Sequence, residues 1–200
     1  MGRQLATVRH IVPESAKIIA VARRPGAVAS LAGVRRHTCY QPVPGDAGAD
    51  PGVTSVWVLW TDRPAEVTLT WSDAAYLVDE RPQWGQEEHG GVTRLSFLLA
   101  APGLSRAEFG DHWRDTHATL ARRHHPTLWR YVQNVVVDAL TPDAPEVDGI
   151  AELSFHTVAD LRERMYDNED GRRIVGADVR TFIDLSRGWR VLCHDGMNTF

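Results

Sequence analysis

Residues 92–134 read V-T-R-L-S-F-L-L-A-A-P-G-L-S-R-A-E-F-G-D-H-W-R-D-T-H-A-T-L-A-R-R-H-H-P-T-L-W-R-Y-V-Q-N. Val92 to Ala100 alternates as a strand does. Ser105 then opens a helix, with Glu108 three residues on at the capping-box spacing. The helix runs to about Arg123. His125-Pro126 stops it, because the residue before a proline is pushed out of helical geometry. Leu128 to Val137 is again rich in β-formers.

Working outward, an acidic proline loop, T-P-D-A-P-E-V-D-G, leads to a strand at Ile150 to Phe155. Val158 to about Ala177 is helical with an interruption at Gly171, and Trp189 to Cys193 closes with a short strand. Strand, helix, strand, strand, helix, strand is the split βαβ order of a ferredoxin-like unit. Such a sheet has helices on one face only, so its other apolar face must pack on a second sheet.

The first half supplies that sheet through an internal duplication. Val34-Arg35-Arg36-His37 corresponds to Leu128-Trp129-Arg130-Tyr131, and Asp50-Pro51-Gly52 corresponds to Asp148-Gly149. Leu77-Val78-Asp79 with Trp84 corresponds to Phe182-Ile183-Asp184 with Trp189. The turn-rich Pro42 to Gly52 breaks this half, and Gly85 to Gly91 reads as the linker. The expected architecture is α+β: two ferredoxin-like βαββαβ repeats, residues 1–88 and 89–200, packed sheet to sheet as a barrel within one chain. The first copy is worn, with a shorter second helix and no clear fourth strand after Trp84.

Length and composition bound the partners. The 200 residues suffice for a substantial core, and a net charge of -4 without a basic stripe argues against nucleic acid and anionic membrane surfaces. No signal-like pattern opens the chain, and no apolar run is long enough to span a bilayer. Cys39 and Cys193 lie far apart, so a reducing cytoplasm is the expected compartment. Seven tryptophans and nine histidines suggest aromatic-lined cavities. The worn copy leaves sheet edge or face exposed, which favours a homodimer.

On an ideal helix Phe109, Trp113, Thr116, His117, Leu120 and His124 form one stripe toward the sheet. Burial there would keep His117 neutral, the form a general base needs, and Tyr131 could meet it across the gap. The candidate catalytic residues are therefore His117, Tyr131 and His124. Trp113, Phe109, Leu120, Phe155 and Phe182 are the candidate substrate-binding residues. The same stripe also fits core histidines satisfied by backbone carbonyls. His112 lies about 140° around from His117 on such a helix, outside the pocket, and His125 reads as solvated. No histidine pair has the four-residue spacing of a helical zinc motif, so no metal is expected.

Phe109 with W-R-D-T-H resembles the aromatic-x-x-x-Trp-Arg-x-x-His helix of the EthD family, within the dimeric α+β barrel superfamily. H-H-P-T-L-W-R-Y-V-Q-N resembles that family's helix-to-strand turn, and Asp148-Gly149 and Phe182-Ile183-Asp184 its later landmarks. The likeness covers roughly residues 92–193 well and the first half weakly. It implies a pocket between helices and sheet for a small apolar aromatic or polyketide-like molecule. It also implies cofactor-free proton-transfer chemistry of cyclase, dehydratase or isomerase type, with His117 as base, Tyr131 as acid or enolate donor and Trp113 as wall. A cofactor-free oxygenase is the alternative within that chemistry. A haem-binding barrel with His117 or His124 as axial ligand, or a non-catalytic ligand-binding protein, are the others. In the first copy the position equivalent to His117 is Arg23, so one pocket per chain is expected.

Other features weigh less. Trp57 and Trp60 fall on opposite faces of their strand. Glu152 either orients a histidine or is solvated. Glu87-Glu88-His89 is read as a solvent loop, and the terminal Phe200 as a residue that could cap a pocket or pack on a partner chain.

Overall fold

The computed structural model describes residues 15–24, 31–46, 50, 52–86 and 90–194. Glu87-Glu88-His89 and Phe200 lie outside these residues. Strands β1 (Ala16–Ala22), β2 (Arg36–Pro42), β3 (Ser55–Thr61) and β4 (Ala74–Trp84) form the first half. Strands β5 (Val92–Leu98), β6 (Arg130–Ala139), β7 (Gly149–Phe155) and β8 (Trp189–His194) form the second. All eight close into one antiparallel barrel in the order β1-β3-β2-β8-β5-β7-β6-β4.

Taken half by half, the strand order is fourth, first, third, second in both: β4-β1-β3-β2 and β8-β5-β7-β6. The ferredoxin-like order thus occurs twice, and the second strand of each half pairs with the fourth of the other. The β4–β6 seam is long, running from Tyr76↔Ala139 to Trp84↔Tyr131. The β2–β8 seam is short, pairing Gln41↔His194 and Pro42↔Cys193, with Val43 N donating to the Leu192 carbonyl beyond it. Closure leaves no free strand edge, so the edge argument for a homodimer falls away.

The helices differ from expectation in the first half. Among its described residues there is no α-helix, only a 3-10 turn at Pro64–Glu66. The stretch from Asp62 to Asp73 is short, with Pro64 early and β-branched Val67, Thr68 and Thr70 in it, all poor helix material. It folds instead as a flap whose Val67, Leu69 and Trp71 cover Ile18, Ala20, Leu59 and Ala75 on the outside of the sheet. Among the described residues the first repeat is therefore four strands without the expected helices.

The proposed correspondences also sort themselves. Arg36 and Arg130 each open the second strand of their half. Leu77-Val78-Asp79 lies inside β4, whereas Phe182 ends a helix ahead of β8. That third pair is not structurally equivalent, and the fourth strand of the first half precedes Trp84 instead of following it.

In the second half, α1 (Arg106–His112), a π-turn (Trp113–His117) and α2 (Ala118–His124) link β5 to β6. Helices α3 (Val158–Glu163) and α4 (Glu169–Phe182) link β7 to β8. The capping box is formed: the Ser105 side chain accepts from Glu108 N, and Glu108 accepts from Ser105 N. The second helical segment breaks at residues 164–168 and not at Gly171. Asn168 restarts it by accepting from Gly171 N as an N-cap.

Inward-facing residues, including Ile19, Val58, Tyr76, Leu95, Phe97, Ile150 and Val191, fill the barrel. The opposite faces of β5, β6, β7 and β8 pack under the helices through Phe109, Trp113, Tyr131, Leu153, Phe155 and Phe182. Gly149 permits this docking. A Cβ there would stand 2.5 Å from the Trp113 ring and 2.9 Å from that of Phe109. Asp148 beside it holds both layers, accepting from Ala100 N and from Arg106 Nε. Trp60 faces the barrel interior and Trp57 the outside, where it stacks on His37.

Candidate active site

The decisive local feature is the π-turn. Ala118 N reaches back five residues to the Trp113 carbonyl, and Gln133 Nε2 on β6 donates to the same oxygen at 2.8 Å. A side chain inserted into the helical ladder in this way widens the turn by one residue. Residues five apart then share a face, and everything C-terminal is rotated by about 100° from the ideal helix.

Two consequences follow. His112 and His117 now point the same way, and both reach Asp178 on α4. His117 Nδ1 is 2.8 Å from Asp178 Oδ2, and His112 Nε2 is 2.8 Å from Asp178 Oδ1. The second consequence is a one-residue shift of the stripe. Ala121 and His125 take the inward places expected for Leu120 and His124, while Thr116 is exposed and Leu120 half-buried.

A cavity of about 590 Å³ opens between the helices and the sheet. Trp113 and His117 line it from the π-turn, His125 from beyond α2, and Val175 and Val179 from α4. Arg94, Ser96, Tyr131, Ala151 and Leu153 form its floor on β5, β6 and β7. Met165 and Tyr166 close one side, and Asp184, Leu185, Trp189 and Arg190 another. Among the described residues Asp50 alone comes from the first half.

The surroundings of His117 are not the apolar ones expected. Asp178 takes Nδ1, and the imidazole ring packs against Phe182 at 5.2 Å between centroids. With Nδ1–H donating to the carboxylate, Nε2 carries the lone pair available for a proton. Burial pushes the Asp178 carboxyl up, but the hydrogen bonds from His117 and His112 outweigh this and hold it below its ordinary value. Asp178 is therefore anionic at neutral pH and fixes the histidine ring.

Tyr131 is 2% exposed, and its hydroxyl oxygen accepts from Trp113 Nε1 at 2.6 Å. Burial pushes the phenol well above its usual value, so it stays protonated. Gln133 is also within hydrogen-bonding reach of the hydroxyl. His125 is buried, donating from Nδ1 to the Met165 carbonyl at 2.9 Å. Burial brings its pKa down to about 4, so it is a neutral wall residue and not the solvated one expected.

The other sequence candidates lie off the cavity wall. His124 is turned away, its Nδ1 3.0 Å from Asp167 Oδ2. A Cβ on Gly171 would stand 2.7 Å from that ring, so the small residue lets α4 close over it. Phe109, Phe155 and Phe182 are fully buried behind the wall, and Leu120 faces outward. Glu152 neither orients a histidine nor meets solvent. It lies inside the barrel, bound to Lys17, Arg130 and Asn134.

Arg94, Ser96, Asp178, His125, Tyr166 and Arg190 were not among the sequence candidates. Arg94 and Ser96 carried a readable signal. In V-T-R-L-S-F-L the alternation that sends Leu95 and Phe97 into the barrel sends Arg94 and Ser96 under the helices. Asp178 sat just past the expected helix end, where no pattern connected it to His117.

Residues 101–186 match the family model of the EthD domain. Among curated proteins no sequence matches the chain. Solved structures do resemble it. One described as an anthrone oxidase-like protein superposes with a TM-score of 0.59 at 11% identity, covering 92% of each chain. Another, a "putative monooxygenase" from Lactobacillus acidophilus NCFM, has a TM-score of 0.54 at 7% identity, covering 93% of this chain and 96% of that one. At such identities the likeness is one of fold, a dimeric-type α+β barrel. The π-turn, the aspartate-bound histidine and most of the cavity wall thus fall within the segment, residues 101–186, that matches the EthD domain model.

Proposed function

We propose that the cavity is the active site of a cofactor-independent oxygenase acting on a small aromatic, polyketide-like molecule with an acidic C–H. The observation that carries this reading is the Asp178–His117 pair opening onto an apolar, aromatic-walled cavity whose floor holds the protonated Tyr131. A base held by a carboxylate, beside a phenolic donor in the same pocket, suits removal of a proton next to a conjugated carbonyl.

In the first step His117 Nε2 takes a proton from an activated methylene. The electron pair delocalises onto the carbonyl oxygen, which Tyr131 meets with its hydroxyl proton. The electron-rich enolate reduces dioxygen and combines with it, and the resulting peroxide anion recovers the proton from His117. Loss of water from the hydroperoxide leaves a ketone, so that CH2 + O2 gives C=O + H2O. Cyclisation, dehydration or isomerisation would share the first step and consume no oxygen. The folds of an anthrone oxidase-like protein and a "putative monooxygenase" favour the oxygen-consuming branch.

The test is an oxygen electrode with purified protein and a hydroxyanthrone as probe. Expected is uptake of one O2 per quinone formed, falling at least about hundredfold in His117→Ala. Turnover without oxygen uptake would return the reading to the cyclase or isomerase class. Unchanged rates in His117→Ala would remove the base. A haem-binding barrel would announce itself by a Soret band in the purified protein.

A further inference from the structure

Arg94 stands on β5 between Leu153 of β7 and Leu192 of β8. It lines the cavity with Ser96, two residues along the same face. Its Nε is buried without a hydrogen-bond partner, and no ion pair or hydrogen bond engages the guanidinium among the described residues. A guanidinium is always charged and offers five donors, so leaving it unpaired inside an apolar wall is costly.

Nearby carboxylates do not balance it. Asp50 is held by Arg23 at 2.6 Å, Asp184 by Ser186, and Asp46 by Arg162. Asp178 is occupied by the two histidines. A second cation, Arg190, lies diagonally across the β5–β8 ladder, where Ser96 pairs with Arg190 and Arg94 with Leu192. Tyr131 and Tyr166 face the same space. The cavity therefore joins apolar walls to an Arg94 guanidinium that no carboxylate contacts among the described residues.

We infer that the ligand of this cavity is an aromatic molecule bearing an anionic oxygen group, a carboxylate or ionised phenol, seated on Arg94 with Ser96 beside it and Arg190 at the rim. The anion supplies the counter-charge that the protein lacks, and a planar guanidinium takes such an oxygen pair with two parallel hydrogen bonds. Val175, Val179, Leu153 and Trp113 hold the ring. This rests on the cavity being a ligand site, as proposed above, but not on the oxygen chemistry. Arg94 would then be a specificity determinant, selecting anionic over neutral aromatics in the ground state.

The test is binding of 2-naphthoate and its neutral isostere 2-naphthamide at pH 7.5, followed by quenching of tryptophan fluorescence and by calorimetry. Expected is a preference for naphthoate of at least about tenfold in the wild type. In Arg94→Gln the preference vanishes while naphthamide binding is unchanged. In Arg94→Lys it is reduced but present. Far-ultraviolet circular dichroism of each variant establishes that it is folded. Equal affinity for both probes in the wild type, a preference that survives Arg94→Gln, or no binding of either probe at millimolar concentration overturns the inference. Because binding is read without turnover, a failed oxygen-uptake assay leaves this result standing, and the converse also holds.

Discussion

Replacing Glu152 by glutamine tests how the two halves of the barrel are held together. Glu152 on β7 is fully buried and receives Lys17 Nζ from β1, Arg130 Nη1 from β6 at 3.2 Å and Asn134 Nδ2 at 2.9 Å. Lys17 also contacts Glu80 on β4 at 2.7 Å, and Glu80 accepts from Trp60 Nε1. One ionic cluster thus spans both halves inside the barrel. Burial alone would raise the Glu152 carboxyl, but the charges of Lys17 and Arg130 hold it down at about 2 against an ordinary 4.5.

A depressed folded-state pKa contributes stability that is present above the unfolded value. That stability is lost as pH falls from about 4.5 to about 2. The shift corresponds to about 3 kcal/mol, and breaking a buried ion pair on one side costs roughly 3–5 kcal/mol. Because Lys17 keeps Glu80, we expect the lower end. With a urea slope of about 2 kcal/mol/M, the Glu152→Gln midpoint falls by about 1.5 M. Adding Lys17→Met removes the cation left in excess of carboxylates and restores part of that loss. Glu152→Gln also loses the wild type's stability decline between about pH 4.5 and 2 arising from this group. A midpoint within about 0.3 M of wild type, or no recovery in the double variant, would refute the argument.

Asp178→Asn removes the carboxylate from His117 while preserving shape. Turnover in the oxygen-uptake assay should fall roughly 100-fold with naphthoate affinity nearly unchanged. A parallel loss of affinity would make Asp178 a packing residue. Gly149→Ala drives a methyl into the rings of Trp113 and Phe109. It should cost about 1–3 kcal/mol in urea melts, and a neutral outcome would mean that the helix layer shifts freely on the sheet.

The second half was legible because every element in it carries its own punctuation. Ser105 and Glu108 mark a helix start, His125-Pro126 its end, and alternation marks Val92–Leu98. The first half was not, because its strands signal clearly but its connections do not. A duplicated strand order implies duplicated helices, and the stretch from Asp62 to Asp73 simply lacks the residues to make one. Within the site, His117, Tyr131 and Trp113 could be read from a 3.6-residue period, since they precede or face the irregularity. Leu120 and His124 could not. The π-turn that displaces them depends on Gln133, a residue in the next strand, whose amide bonds the Trp113 carbonyl. A long-range hydrogen bond reset the local period, and no window of sequence contains that information.

The same irregularity explains how the second half of the barrel holds its pocket. A cavity under the helices needs a layer held off the sheet at one end and pinned to it at the other. Gly149 pins it, by admitting Trp113 and Phe109 against β7. The widened turn directs His112 and His117 together onto Asp178, and so ties the π-turn to α4 across the top of the cavity. In the first half the described residues form no such layer, and the flap of Val67, Leu69 and Trp71 lies directly on the sheet. Asp50, the single wall residue from that half among those described, is itself fixed by Arg23, which directly follows β1 and has no counterpart of His117's helical setting. The first half completes the barrel and supplies Lys17 and Glu80 to its ionic interior, and the second carries the helix layer and the cavity beneath it.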